Sequence, residues 1–367
     1  MTFRKSLAIG ILIGAASWWS AGTTRAEVPD VVVSIKPIHS LAAGLMQGIG
    51  EPALLIEGGA SPHAYSLRPS EAEALQNADV VFWIGDEMET FLKKPLEALP
   101  KQAKVVALHE ADGVVLLPFR EGGDWEAHAD HEDHKEDHGH RDDHGHEHAE
   151  KHADEHDHGH EHAEKHGDEH DHGHAEDHAE HHDDDLAHGG HAHGENDMHI
   201  WLDPSNATAM VTRMVGVLSE VDPANAPRYQ ANGDALKTRL TALNSGIDGK
   251  LRPVKTTPYV VFHDAYQYFD KRYGLSPAGS ITVDPDRKPS AQRLYSIRKK
   301  ILDSGAVCVF SEPQFEPGVV TTVIEGTEAR TAVLDPLGAD LPPGPDAYFA
   351  LLNNLATDLQ SCLKPAS

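Results

Sequence analysis

From His128 to His193 the chain holds 23 histidines, 23 acidic residues and four basic ones, and almost nothing that could enter a core. A segment this polar has no apolar surface to bury against the entropy of ordering it, so it cannot belong to the fold. It divides the foldable chain into a part before it and a part after it. Two consecutive stretches, "EHAEKHADEHDHGH" at 147–160 and "EHAEKHGDEHDHGH" at 161–174, differ only at Ala153 and Gly167, which points to copying of a short unit rather than to a structure. The tract carries −19 of the formal net charge of −28, leaving the remainder mildly acidic. Nucleic acid and anionic membrane surfaces are therefore excluded as expected partners, and cations are favoured.

Histidine at this density binds metal. His144, His146, His148, His156, His158, His160, His170, His172 and His174 form H-x-H arrangements with carboxylates between them. No single arrangement is favoured, so several weak, exchanging sites are expected, emptying as pH falls toward about 6 because protons compete for the same nitrogens. The sequence of the tract does not discriminate zinc from nickel, copper or cobalt in vitro. The alternative is a solvated charge run with incidental affinity.

The N-terminus sets the compartment. Arg4 and Lys5 precede the apolar run "LAIGILIGAASWW", and "TRA" at 24–26 suits signal-peptide cleavage. Residues 1–26 read as a secretory leader, with a transmembrane anchor as the alternative. Only two cysteines occur, Cys308 and Cys362. In an oxidising compartment a lone pair suggests one disulfide, and two buried thiols are the other reading.

On both sides of the tract, short apolar runs alternate with amphipathic helices. "DVVVSIKPI", "PALLIEGG", "DVVFWIG" and "AKVVALHE" read as strands before it, and "YVVFHDAY", "AVCVFSE" and "TAVLDPLG" as strands after it. Ser70 and Glu73 suggest a capping box, Asp203 followed by Pro204 a helix start, and Ser290 and Gly305 the ends of another helix. A long polar helical stretch at 227–252 lies between the two regions. The expected fold is α/β: two lobes, each a mainly parallel sheet flanked by helices, joined by that long rigid helix. The expected boundaries are 27–122 with 195–226 for the first lobe, 123–194 for the metal-binding loop, and 253–367 for the second lobe.

Five histidines lie outside the tract. His39 and His109 read as side chains bonded to loop backbone. His63, His199 and His263 follow strands or lie where order resumes, as does Asp335, and ligands in open α/β sheets bind beyond the carboxyl ends of strands. Three imidazoles with a carboxylate or water would satisfy tetrahedral zinc.

"SPHAYSLRPSEAEALQNADVVFWIG", "NDMHIWLDPSNA", "VFHDAYQYF" and "LDPLG" resemble, in this order, the metal-binding receptors of ABC importers, and specifically the zinc-uptake (ZnuA-like) branch. The resemblance implies zinc held between two lobes by His63, His199 and His263, with Asp335 or water as fourth ligand. It also implies a Cys308–Cys362 disulfide, a membrane permease with its ATPase as partners, and a periplasmic monomer without catalysis. Pro62 stands where some zinc-binding members carry a coordinating glutamate. Manganese-binding relatives carry glutamate at the position of His263, so imidazole here favours zinc. Rival readings are a periplasmic zinc store or chaperone, and a zinc-dependent hydrolase. The hydrolase is disfavoured because the sequence shows neither H-E-x-x-H nor an obvious general-base carboxylate next to a ligand.

Overall fold

The computed structural model describes residues 28–99, 102–120, 125, 195–282, 285 and 288–365. The leader and the histidine-rich tract, including its nine singled-out histidines, lie outside the described residues.

Two four-stranded parallel sheets form the frame. In the first, β1 (Val31–Val33) and β3 (Val80–Trp83) are central, with β2 (Ala53–Leu54) and β4 (Lys104–Ala107) at the edges. The central strands are buried throughout, which is why their sequences are unbroken apolar runs rather than alternating ones. The second sheet has the order β10-β9-β7-β8, with β7 (Tyr259–His263), β8 (Pro277–Thr282), β9 (Cys308–Ser311) and β10 (Arg330–Val333). A short antiparallel pair, β5 (Leu117–Pro118) and β6 (Asn196–Asp197), joins the chain just before the tract to the chain just after it. Both halves are thus α/β, as the sequence pattern indicates. β8 escaped that pattern because "PAGSIT" carries too few apolar residues to read as a buried strand.

Helices α1 (Lys36–Leu45), α2 (Pro69–Asn77) and α3 (Lys93–Ala98) connect the first sheet. The capping box on α2 is not at Ser70 and Glu73. Pro69 takes the first helical position, and the Glu71 carboxylate accepts from the Arg68 backbone N–H at 2.8 Å. The fixed φ of proline pulls the helix start forward. Asp203 caps α4 (Pro204–Val221) by accepting from the Ser205 N–H at 2.7 Å. Helix α5 (Ala226–Leu251) is the long polar one, and its buried face is a stripe of Leu236, Leu240, Leu243, Ile247 and Leu251. It packs on α1, α4 and the last helix, α9 (Ala347–Leu363). These approaches are close. A Cβ on Gly44 of α1 would lie 2.9 Å from Leu236, and one on Gly233 of α5 would lie 2.7 Å from Val215. α6 (Gln267–Tyr273), α7 (Ala291–Ser304) and α8 (Gly318–Ile324) complete the second half. Ser290 caps α7, accepting from the Arg293 N–H, and Gly305 ends it at φ 64°. Among the described residues, no helix is long and apolar enough to cross a membrane.

Candidate metal centre

Parallel strands bring their carboxyl ends to one side, and the site assembles there. His263 is the last residue of β7, and Glu312 directly follows β9. His63 lies in the loop between β2 and α2. His199 directly precedes a single 3-10 turn, Ile200–Leu202, that leads into α4. The chain therefore brings together three histidines separated by more than 60 residues each. Their ring centroids are 5.4 Å apart for His63 and His199, 5.8 Å for His63 and His263, and 5.2 Å for His199 and His263. One nitrogen from each lies within 4.8 Å of those of the other two, the only such grouping among the described residues. His199 and His263 are buried and His63 is half-buried, so access is from the His63 side. The cavity between them is about 10 Å³, room for a single ion or water.

Two carboxylates that the sequence reading overlooked control this geometry. His199 Nδ1 lies 2.7 Å from Asp197 Oδ1, and His263 Nδ1 lies 2.7 Å from the Glu312 carboxylate. Each Nδ1 therefore carries its proton toward a carboxylate, which leaves the Nε2 lone pair free. Those two Nε2 atoms face each other at 3.3 Å. Two lone pairs in that position repel unless a proton or a metal ion lies between them. Two nitrogens each ~2.05 Å from zinc at the tetrahedral angle lie about 3.3 Å apart, so the spacing fits the ion.

Burial sharpens the demand for positive charge. Burial pushes the Asp197 carboxyl up to about 7, opposed by the hydrogen bond from His199 and by the Arg120 charge. Burial, and then the neighbouring His263, hold His199 well below the usual histidine range. Burial also lowers His263, but the Glu312 charge and hydrogen bond outweigh it and the net shift is upward. A divalent cation here would have its two charges matched by Asp197 and Glu312 behind the imidazoles, so that the buried assembly is neutral. Protons and metal compete for the same Nε2 atoms, and His263 is the first of the buried pair to yield. In a ring-nitrogen NMR titration of the metal-free protein, His263 is expected to protonate above the ordinary histidine range. His199 should stay neutral to well below it, and zinc affinity should fall as pH drops through the His263 transition. Protonation of His199 first would contradict this network.

Asp335 is elsewhere engaged. Oδ1 accepts from the backbone N–H of Leu337 at 3.0 Å, that of Gly338 at 2.9 Å and Gln314 Nε2 at 2.9 Å, and Oδ2 accepts from the Ala339 N–H. It is not in the three-nitrogen group. His39 and His109 bond backbone carbonyls, those of Pro52 at 3.0 Å and Ile84 at 2.7 Å. Cys308 and Cys362 form a disulfide between β9 and α9.

The stem of the tract is fastened beside this centre. Tyr268 donates to the Asp197 carbonyl at 2.6 Å and accepts from the Leu117 N–H at 2.9 Å. Arg120 pairs with Asp270 at 2.6 Å and Asp264 at 3.4 Å. A sequence reader could have found Asp197 two residues before His199. Glu312 becomes visible only once β9 is placed next to β7.

Comparison with known proteins agrees with this architecture. Residues 31–362 match the profile of the family described as ZnuA, zinc-uptake complex component A, periplasmic. The high-affinity zinc uptake system protein ZnuA of Brucella abortus (strain 2308) is 52% identical over 337 residues, covering 92% of each chain. That of Paracoccus denitrificans (strain Pd 1222) is 39% identical over 354 residues, covering 96% of this chain and 97% of the other. A solved ZnuA crystal structure, 21% identical, superposes with a TM-score of 0.66 over 92% of this chain and all of its own, and shares the two-lobe fold. The family is one of uptake components rather than enzymes, which sets the hydrolase reading aside. With a matching profile along nearly its whole described length and relatives this similar, the chain belongs to the ZnuA family of periplasmic metal-uptake components.

Proposed function

We propose that this protein captures Zn²⁺ in the periplasm at His63, His199 and His263 and delivers it to the permease and ATPase of an ABC importer. The observation that carries this reading is the pair of Nε2 atoms 3.3 Å apart, each on a ring whose Nδ1 meets a carboxylate at 2.7 Å, with His63 beside them. The relatives' names, high-affinity zinc uptake system proteins, support the same cargo, and the family's description as a component of a zinc-uptake complex supports the presence of partners. Asp335 acts as a scaffold for its own loop, and a water takes the fourth coordination position. The protein works as a monomer, with residues 1–26 as its export signal. Its first lobe is 27–122 with 195–226, its linking helix 227–252 and its second lobe 253–367. The tract at 123–194 is an accessory collector: its histidines hold zinc in exchanging sites, whereas the folded ligands are held in place beforehand and bind more tightly.

The test is zinc stoichiometry by chelator competition, comparing the exported protein with a version lacking residues 128–193. The deletion is expected to lose the weaker equivalents and keep one tight zinc. Loss of tight binding on deletion would make the tract the principal site and the protein a zinc store.

A further inference from the structure

The loop from Asp335 to Leu341 supplies one wall of the three-histidine pocket through Pro336 and Leu337. It follows β10 of the second sheet, yet it is also held from the other half of the protein. Lys36, the first residue of α1 and only 6% exposed, reaches across to it. Its Nζ donates to the carbonyls of Gly338 at 2.6 Å, Ala339 at 2.7 Å and Leu341 at 2.9 Å. An ammonium has three donors, and all three are spent on this one loop. Trp201, beside His199, adds an Nε1 donation to the Pro336 carbonyl at 2.8 Å.

The loop's amides point the opposite way, into Asp335. The peptide between Gly338 and Ala339 therefore has its carbonyl on the Lys36 cation and its N–H on the Asp335 anion. Its dipole lies along the field between a buried lysine and a half-buried aspartate that do not touch directly. Gly338 takes φ 71°, and a Cβ there would meet Leu341 at 2.9 Å, so the turn has little room to relax into another shape. His63 and His199 belong to the half that carries Lys36, whereas His263 belongs to the half that carries the loop.

We infer that Lys36 is a positioning residue for metal retention, clasping the Asp335–Leu341 loop so that the second-sheet wall and His263 stay in register with His63 and His199. This rests on the assignment of the three histidines as the zinc site. The clasp makes no metal contact, and it acts on how long zinc stays rather than on how zinc arrives.

The test uses the full chain loaded with one equivalent of zinc, with release into excess chromophoric chelator followed by stopped flow at a temperature where every variant is folded. Lys36→Met is expected to speed the slow release phase about 10-fold, the lower end of what loss of an outer supporting contact does to a metal site, while the association rate is unchanged. Trp201→Phe should shift release the same way by less. Hydrogen exchange in the metal-free protein gives an independent arm: the Leu337, Gly338 and Ala339 amides should lose protection in Lys36→Met. Parental release rates with parental amide protection in these variants would overturn the clasp. If Lys36→Met does not fold, Trp201→Phe decides by the same two readouts. A His263→Ala control that releases zinc like the parent would instead sink the site assignment, and the exchange arm, which needs no metal, separates the two failures.

Discussion

Changing His263 to alanine is expected to lower zinc affinity at the tight site by more than ~100-fold, since losing an outer partner of a metal ligand already costs about 10–100-fold. His199→Ala should match it, because both imidazoles present a fixed Nε2 to the same point. His63→Ala should cost as many ligands but less preorganisation, since His63 is half-buried whereas the other two are buried. Glu312→Gln should fall between parent and His263→Ala. The amide oxygen can still accept from Nδ1, but the charge that balances the cation is gone. The measurement is chelator competition on the version lacking residues 128–193, so that the tract cannot mask the loss. An affinity unmoved by His263→Ala would mean that the converging lone pairs do not hold the ion.

The two sheets were legible in the sequence because buried parallel strands are nearly pure apolar runs, as Val31–Val33, Val80–Trp83 and Tyr259–His263 are. Ligand candidates were legible for a related reason: a polar residue that ends such a run lies at the carboxyl edge of the sheet. His263 fits that rule, and so does Asp335. The rule cannot tell an inward-facing carboxylate from one that folds back to cap its own loop, and Asp335 does the latter. Glu312 and Lys36 were invisible because their meaning depends on neighbours 49 and 302 residues away. A buried lysine or glutamate in a one-dimensional reading looks like any surface charge. Only the pairing of β7 with β9, and of α1 with the loop after β10, reveals that these charges are enclosed.

Removing the disulfide should separate stability from binding. Cys308 and Cys362 are 54 residues apart, and a closed loop of that length restricts the unfolded chain enough to contribute about 4 kcal/mol in the chain-entropy model. Alanine is the replacement to use, because Cys308 is fully buried and a serine hydroxyl there would bring its own desolvation cost. The double variant is expected to melt roughly 10 °C lower than the parent, at about 2–4 °C per kcal/mol for a body of this size. The comparison belongs in metal-free protein, since bound zinc makes the melting temperature depend on zinc concentration. Zinc affinity at 25 °C should change little. β9 begins at Cys308, in register with Tyr259 at the start of β7, and ends beside Glu312, in the neighbourhood of His263. Four residues of extended chain put ~13 Å between the crosslink and the carboxylate that steadies the ligand. The amino ends of the second sheet thus carry a covalent brace and its carboxyl ends carry the chemistry. A crosslink-free variant with a lowered melting temperature and an intact tight site is what that division of labour requires. A collapse of affinity in protein that is still folded at 25 °C would mean that strain at Cys308 travels along β9 to Glu312.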